Sequence, residues 1–167
     1  PRSDRECRRV TAPCSHYWPC FWWPHAGSPV YGPDGVGSKL QNRVLVDEPG
    51  NRNAFLLTQR IEERLGRGGD ARYGLKVDIS TRQAGIAINP QGDTDRYDIL
   101  GVASYVLRDI GTGKELLRGR VNSFAAYSAT GNAAATVAAE RDARERLMVI
   151  LADQIVTRLI ATIDSAP

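Results

Sequence analysis

The pattern of apolar and polar residues changes along this chain, and each part of the pattern predicts a different secondary structure. The longest uninterrupted pattern covers residues 132–163, where good helix formers follow one another without Gly or Pro. Oppositely charged residues four positions apart occur three times within it: Glu140 with Arg144, Arg141 with Glu145, and Asp142 with Arg146. Such pairs stabilise helices, so the segment is predicted to be one helix of about eight or nine turns.

The second half of this predicted helix has a broad apolar surface. Its apolar residues form two neighbouring stripes, Met148, Leu151, Ile155 and Leu159 on one and Val149, Val156, Ile160 and Ile163 on the other. An isolated amphipathic helix needs only one narrow stripe. We therefore expect this helix to lie on a sheet that is formed by the preceding part of the chain.

The preceding residues alternate between strand patterns and a helix pattern. The predicted elements are a strand over residues 40–46, a helix that begins at Asn51 or Asn53 and ends at Gly66, and strands over residues 73–80, 96–108 and 115–127. Asn is a favourable helix N-cap, and Gly is a favourable residue after a helix. Leu75, Val77 and Ile79 alternate with polar residues, which predicts one buried and one exposed face for the second strand.

These elements predict the fold class. The order β-α-β-β-β-α gives an α+β fold in which two helices pack on one face of a mostly antiparallel four-stranded sheet. The residues expected to share the core are Ala54, Leu57, Ile61, Leu75, Val77, Leu151 and Ile155. The strands after the first helix are expected to be joined by a loop over residues 90–95 and a hairpin turn over residues 109–113. Ile86 and Ile88 either extend the second strand or form an irregular edge before the loop.

The charges are unevenly distributed along the chain. Of 22 Lys and Arg and 19 Asp and Glu, residues 1–28 hold four Arg and two acids, which leaves 18 basic and 17 acidic residues in the remainder. The remainder is therefore almost neutral. The sequence pI of about 9.0 is thus no argument for a nucleic-acid partner.

Residues 1–28 also differ from the rest of the chain in composition. All three Cys, all three Trp and both His lie within the first 25 positions. A zinc site is one interpretation, but the spacing of Cys7, Cys14 and Cys20 with the two His matches no standard ligand pattern. A disulfide would leave one Cys over, and so many aromatic residues are not typical of a disordered tail.

The favoured interpretation of this head is a reading-frame error upstream of the domain. If the codons for residues 17–29 are read from their third base, the permitted translation is an apolar run that ends in Leu-Val-Ala-Ala-Cys. An apolar run and small residues before Cys are typical of a bacterial lipoprotein signal. The predicted organisation is an out-of-frame or disordered head over residues 1–28, in place of a signal peptide, and a single domain over residues 29–167. We expect the head to make no contacts with the core.

The candidate catalytic motifs of the domain are incomplete. Gly111–Lys114 is similar to part of a phosphate-binding loop, but the full motif needs Gly at position 108, Ser or Thr at position 115 and a following helix. Asp93 and Asp95 are spaced like the start of a calcium loop without its final Glu. From Ala26 onward the chain has neither Cys nor His, which excludes Cys–His and Ser–His–Asp catalysis. The sequence therefore predicts a protein that is not an enzyme and has no catalytic, cofactor-binding or metal-binding residues.

Four segments of the domain carry a resemblance to a known family. They are PVYG at residues 29–32, RNAFLLTQRIEERLG at residues 52–66, YGLKVDIS at residues 73–80 and AAATVAAERDARERLMVILADQIVTRL at residues 133–159. Together they resemble the LptE family of lipopolysaccharide-assembly lipoproteins, in its alphaproteobacterial form. The resemblance covers residues 29–163 and is most specific over residues 138–159. Residues 1–28 depart from it, since they lack the signal and the anchoring Cys of the family.

The resemblance implies a lipoprotein held in the inner leaflet of the outer membrane, on its periplasmic face. There the family plugs the lumen of the LptD β-barrel and helps lipopolysaccharide to reach the cell surface. Because lipopolysaccharide carries phosphates, Arg side chains are natural contacts, and Arg82, Arg96 and Arg141 are the candidates. The hairpin Asp109–Lys114 and the loop Pro90–Arg96 are the candidate surfaces that lead into the barrel.

Two other functions are compatible with these residues. An auxiliary lipoprotein of an ABC-type lipid transporter shares the size, the anchor and the α/β composition, and it would associate with an inner-membrane permease instead of a barrel. A small soluble enzyme that uses carboxylates is the second alternative, and it would depend on Asp93 and Asp95.

Overall fold

The computed structural model describes residues 39–88, 94–129 and 132–165. The predictions for residues 1–28, for Asp93 and for most of the loop over residues 90–95 lie outside the described residues. The described elements are β1 (Val44–Val46), α1 (Arg52–Leu65), β2 (Tyr73–Ile88), β3 (Thr94–Asp109), β4 (Glu115–Ser128) and α2 (Ala133–Ser165). Their order is the predicted one.

The four strands form one sheet in the order β1-β2-β3-β4. β1 pairs with the start of β2 in parallel, and the two other pairs are antiparallel. Apolar residues of both helices share one buried cluster with the sheet. The predicted α+β fold, with two helices on one face of a mostly antiparallel sheet, is therefore confirmed.

β1 is shorter than the strand predicted over residues 40–46. Leu40 is fully buried but lies before a turn, outside the sheet. Asn42 has a positive φ of 59°, which Asn tolerates better than most residues. Its N–H donates to the Leu65 carbonyl at 2.6 Å. The chain therefore docks against the end of α1 before it enters the sheet.

α1 begins and ends where the sequence indicates. Asn51 is the N-cap, and its side-chain oxygen accepts a hydrogen bond from the Ala54 N–H at 2.8 Å. Gly66 follows the helix with a φ of 84°, and any Cβ there would overlap the Asn42 side chain. The cap at one end and Gly at the other limit the helix to 14 residues.

Two of the three ion pairs predicted along α2 form. They are Glu140–Arg144 and Asp142–Arg146. The predicted pair between Arg141 and Glu145 is wrong, because Glu145 lies 3.4 Å from Arg52 at the start of α1. A contact between the two helices thus replaces the pair within one helix.

The core lies between the helices and the odd-numbered residues of the long strands. Its largest fully buried side chains are Leu40, Leu57, Ile61, Leu65, Leu75, Ile99, Leu107, Leu147, Met148, Leu151, Ile155 and Leu159. Of the other residues predicted for the core, Val77 is half-buried against this cluster and Ala54 is half-buried. Val149, predicted to lie on the apolar face, is 39% exposed, whereas Leu147 is fully buried. The buried surface of α2 is therefore centred on the Leu147–Leu151 turn.

α2 approaches the sheet closely at Gly101 of β3. A Cβ at this position would lie 3.0 Å from side-chain atoms of both Leu147 and Leu151. On β4, a Cβ at Gly119 would overlap the ring of Tyr105, which is buried. Glycine at these two positions lets the helix layer and the Tyr105 ring lie directly on the strands.

Polar contacts also join the two helices. Asp153 of α2 lies 3.2 Å from Arg60 Nε and 3.0 Å from Arg64 Nη1, both on α1. Hydrogen bonding to Asp153 is the main reason that the pKa of Arg60 is raised. These contacts fix the two helices side by side over one face, and the opposite face of the sheet remains uncovered by the described elements.

Candidate functional site

The face of the sheet opposite the helices is exposed. It is formed by the even-numbered residues of β2, β3 and β4, because successive side chains of a strand point to opposite faces. We call it the open face. Its exposed residues include Lys76, Asp78, Arg82, Leu100, Ser104, Arg118, Arg120, Asn122 and Phe124. The strand register divides it into a basic region and an apolar region.

The basic region lies near the hairpin that joins β3 to β4. The register places Lys76 beside Val106 and Arg118, and in the next row Asp78 beside Ser104 and Arg120. These residues and Arg108 line a shallow depression of about 680 Å³. We call its four cations, Lys76, Arg108, Arg118 and Arg120, the basic cluster.

Two members of the basic cluster already have carboxylate partners. Arg108 lies 2.7 Å from Asp47, and Arg118 donates two hydrogen bonds to Glu115 at 3.0 and 2.9 Å. The second pair raises the pKa of Arg118. The side chain of Arg120 has no such partner among the residues that the structure describes. Arg120 is therefore a cation of this cluster that an external anion could contact.

The apolar region lies farther along the same face. The register places Arg82, Leu100 and Phe124 in one row across the three strands. Leu100 is 39% exposed and Phe124 is 60% exposed. Arg96 lies on the same face of β3, four residues before Leu100 and thus about 13 Å away along the strand. The structure therefore brings two of the predicted arginines, Arg82 and Arg96, to one surface with two exposed apolar side chains.

Arg141, the third predicted arginine, lies in a different place. It lines a cleft of about 410 Å³ between the two helices, together with Arg52, Leu56, Arg144 and Glu145. This cleft is on the helix side of the sheet, opposite the open face. No single ligand headgroup could contact Arg141 and Arg82 together, because the sheet lies between them.

The hairpin at residues 109–114 is a well-bonded turn. The Asp109 carboxylate accepts hydrogen bonds from the Thr112 N–H at 2.9 Å and the Thr112 hydroxyl at 3.1 Å, which lower the pKa of Asp109. Gly113 has a φ of 69° and donates its N–H to the Asp109 carbonyl at 2.8 Å. The turn thus holds its shape without a partner.

The hairpin and residues 94–96, the described part of the other candidate leading surface, lie at opposite ends of β3. β3 has 16 residues and runs from the β2–β3 connection to the hairpin. At about 3.3 Å per residue, the two ends are about 50 Å apart. A partner that the domain enters along β3 would therefore meet one of these surfaces before the other.

Sequence reasoning missed Leu100, Phe124 and Arg120 as candidate contacts. A signal was available for Phe124, since it is an apolar residue at an even position of β4, out of phase with the buried Val121 and Ala125. Arg120 could be recognised only from the register of the three strands. That register places it in one row with Asp78 and Ser104, which are distant from it in sequence.

Other candidate chemistry finds no support in the described part of the chain. Among residues 39–88, 94–129 and 132–165, no group of three or more His, Cys, Asp or Glu could hold a metal ion. No helix within these ranges is both long enough and apolar enough to cross a membrane. Gly111–Lys114, which is similar to part of a phosphate-binding loop, connects β3 to β4 and precedes no helix.

Most of the domain matches a known family. Residues 41–159, more than half of the chain, match the model of the family described as LptE, lipopolysaccharide-assembly. No curated protein sequence matches this chain.

Several solved structures have the same fold. One described as a lipoprotein, from Caulobacter crescentus CB15, is 22% identical with a TM-score of 0.65 and covers 78% of this chain and 97% of its own. Rare lipoprotein B from Shewanella oneidensis is 15% identical with a TM-score of 0.57, and covers 72% of this chain and 93% of its own. A minor lipoprotein from Acinetobacter baumannii is 13% identical with a TM-score of 0.54, and covers 72% and 90%. At these identities the similarity shows the fold.

Proposed function

We propose that this chain, which belongs to the LptE family of lipopolysaccharide-assembly proteins, is the lipoprotein partner of an LptD-type outer-membrane β-barrel. In this role the domain plugs the barrel lumen and helps to deliver lipopolysaccharide to the cell surface, without catalytic turnover. Its place is the periplasmic face of the outer membrane, where a lipid on a Cys before the domain anchors it.

The observation that carries this proposal is the mixed charge of the open face. The interior of an outer-membrane barrel is polar, whereas its outer surface is apolar. A plug therefore needs a polar surface that carries both signs of charge. Lys76, Asp78 and Arg82 lie along the open face of β2, with Ser80 between the last two. Of these, Asp78 and Arg82 have no ion-pair partner in the part of the chain that the structure describes, so groups of a barrel lumen could pair with them.

The same face offers a contact for lipopolysaccharide, which combines phosphates with acyl chains. Arg82 and Arg96 supply guanidinium groups, which bind phosphate oxygens with two parallel hydrogen bonds. Leu100 and Phe124, exposed in the same area, supply apolar surface for an acyl chain. Arg141, in its cleft between the helices, is proposed as a separate contact for a phosphate.

Photo-crosslinking in cells that carry an in-frame, lipidated version tests the barrel partner. A photoreactive residue replaces Ser104 at the centre of the open face, Thr112 in the hairpin, or Glu63 on the outer surface of α1 as the control. We expect Ser104 to crosslink to a large outer-membrane barrel and Glu63 to do so weakly or not at all. A fourth position, Asp95, compared with Thr112 identifies the end of the sheet that leads.

The rival function gives a different crosslinking result. Crosslinks that are confined to an inner-membrane permease, together with normal barrel assembly after depletion of the protein, would refute the plug. They would support an auxiliary lipoprotein of an ABC-type lipid transporter instead.

Binding of purified protein to lipopolysaccharide tests the second contact. We expect Arg82→Ala and Arg96→Ala each to weaken binding about tenfold or more, since a hydrogen bond to a charged group contributes about 1.5–3 kcal/mol. Phe124→Ala should also weaken it. Arg67→Ala is the matched control, because Arg67 is 88% exposed and lies outside the open face. If Arg67→Ala weakens binding as much as Arg82→Ala, the contact is unspecific attraction between charges.

A further inference from the structure

Among the described residues, no strand pairs with the outer edge of β2 over residues 76–84, and we propose that this edge pairs with the same edge of a second copy of the chain. The two strands run antiparallel about a two-fold axis at Ser80. Their pairing joins the two sheets into one, with both open faces on the same side.

The free edge has a defined length. β1 pairs only with residues 73–75, and its last contact is the hydrogen bond from the Asp47 N–H to the Leu75 carbonyl at 2.9 Å. At the far end, the pairing of β2 with β3 becomes irregular between Gly85 and Ala87. Such a bulge bends a strand and ends its regular pairing. The regular free segment is therefore residues 76–84, and Ser80 is its centre.

The backbone of this segment presents unused hydrogen-bonding groups. The Tyr73 N–H donates to the carbonyl of Arg43, which directly precedes β1 in the same chain. The Leu75 carbonyl accepts a hydrogen bond from the Asp47 N–H. Backbone groups alternate along a strand, so the odd residues Val77 to Gln83 direct their N–H and carbonyl groups to the same side. None of these groups has a backbone partner on that side among the described residues.

The opposite edge of the sheet is protected, in contrast. Along β4, the Arg158 guanidinium of α2 donates to the Arg120 carbonyl at 2.7 Å. Arg146 donates to the Ala126 carbonyl at 3.4 Å. A long uncovered edge is a template for pairing with another strand, and in this sheet it is the edge of β2.

The side chains of the free edge complement themselves in one register. With the two-fold axis at Ser80, Asp78 lies opposite Arg82 of the second copy, and symmetry repeats this pair. Odd residues then face odd residues and form the hydrogen-bonded pairs. Even residues form the non-hydrogen-bonded pairs, whose Cα atoms are closest, at about 4.5 Å. Asp78 and Arg82 are both exposed and unpaired among the described residues. This charge complementarity is the reason to assign the edge to a second copy.

At the start of the edge, the described residues leave the space beside β2 unfilled. A cleft of about 340 Å³ lies where β1 leaves the sheet, between Pro49, Ala54 and Thr58 on one side and Val77 and Ile79 on the other. α1 therefore forms a wall of the cleft without covering the edge. Because Arg82 is also a proposed lipopolysaccharide contact, dimer formation is measured without lipopolysaccharide and without a barrel.

Charge reversal tests the register. Sedimentation equilibrium of the full chain under reducing conditions should show a mass that rises with concentration from 18.3 kDa to twice that value. Asp78→Arg and Arg82→Asp should each weaken the dimer about tenfold, because each places like charges opposite one another twice. The double variant should restore the dimer, and Arg67→Asp, away from the edge, should leave it unchanged. A monomer at every concentration, or single reversals without effect, would overturn the proposal.

A disulfide tests the axis independently of charge. In a chain whose Cys7, Cys14 and Cys20 are replaced by Ser, Ser80→Cys places two thiols opposite each other at the two-fold axis. The Cα separation of about 4.5 Å suits a disulfide. Mild oxidation should give a covalent dimer of this variant, while Ser104→Cys, exposed at the centre of the open face, should remain monomeric. Equal rates for the two variants would contradict the edge pairing.

Discussion

The two faces of the sheet come from the same three strands but differ in what their side chains contact. On the covered face, Leu75, Ile99 and Leu107 are fully buried beneath the helices. On the open face, neighbouring residues such as Asp78 and Arg120 are exposed. The covered face is thus fixed by packing, whereas the open face makes few internal contacts. Stability is expected to depend on the first and recognition on the second.

The comparison also shows what sets the strand register. A shift by one residue would exchange the two faces and expose the whole apolar set. The register is regular through the middle of the sheet and has irregularities only towards its ends, between Leu107 and Arg108 and beyond Gly85. The burial of the covered face therefore favours the observed register over a shifted one.

The largest expected effect compares a buried with an exposed apolar side chain. Leu151→Ala should lower the free energy of unfolding by about 2–5 kcal/mol, because it removes a fully buried side chain and leaves a cavity. Phe124→Ala, at a position 60% exposed on the open face, should change it by only about 0.5 kcal/mol. Denaturant unfolding of both variants measures the difference. Equal destabilisation would mean that the open face is covered in solution.

The covered face and its helices were largely predictable from sequence. Hydrophobic periodicity identifies the buried side of each element. It is seen in the stripe of Leu57 and Ile61 on α1, in the alternation through Leu75 and in the apolar residues around Leu151. Asn51 and Gly66 mark the ends of α1 because capping depends on local residues. Such local signals suffice to predict an element where its residues only cap a helix or pack in the core.

The remaining features depend on contacts that are distant in sequence. Glu145 turns to Arg52 instead of Arg141 because α1 lies beside α2, and no spacing along one helix contains that information. Arg82 and Arg96 share a face only because β2 and β3 pair in their observed register. The separation of Arg141 from them likewise follows from the position of the helix layer. The candidate site was therefore only partly accessible from sequence.

A second prediction compares two glycines on opposite faces of the sheet. At Gly101, on the covered face, an added Cβ would lie 3.0 Å from Leu147 and Leu151. At Gly74, on the open face, the nearest atom would be a flexible Arg108 side-chain carbon at 3.4 Å. Gly101→Ala should therefore cost about 1–3 kcal/mol, while Gly74→Ala should be tolerated within about 0.5 kcal/mol. Thermal unfolding of the two variants makes the comparison, and a tolerated Gly101→Ala would show that α2 does not lie directly on β3.

A third, smaller effect compares ion pairs on the two sides of the sheet. Asp153 lies 3.2 and 3.0 Å from two arginines of α1, whereas Glu115, within the part of the chain that the structure describes, pairs only with Arg118 on an exposed strand. Asp153→Asn should cost up to about 1 kcal/mol, and Glu115→Gln only a few tenths, since exposed pairs contribute little. Both effects should diminish at high salt. If Glu115→Gln is the more costly, the open face contributes more to stability than its exposure indicates.

The smallest expected effect concerns the hairpin that connects β3 to β4 and so joins both faces of these strands. Hydrogen bonds from Thr112 lower the pKa of Asp109 below its usual 3.8. A carboxylate with a lowered pKa in the folded state stabilises that state above its ordinary pKa, and this contribution is lost as the pH falls through the folded-state pKa. Wild-type protein should therefore lose a small part of its hairpin protection, measured by amide hydrogen exchange of Gly113, only below about pH 4. Asp109→Asn keeps an acceptor oxygen but cannot titrate, so its protection should not show that loss. The control Asp70→Asn removes an exposed carboxylate outside the hairpin and should behave like the wild type. If the Gly113 amide loses protection already at neutral pH, another group controls the turn.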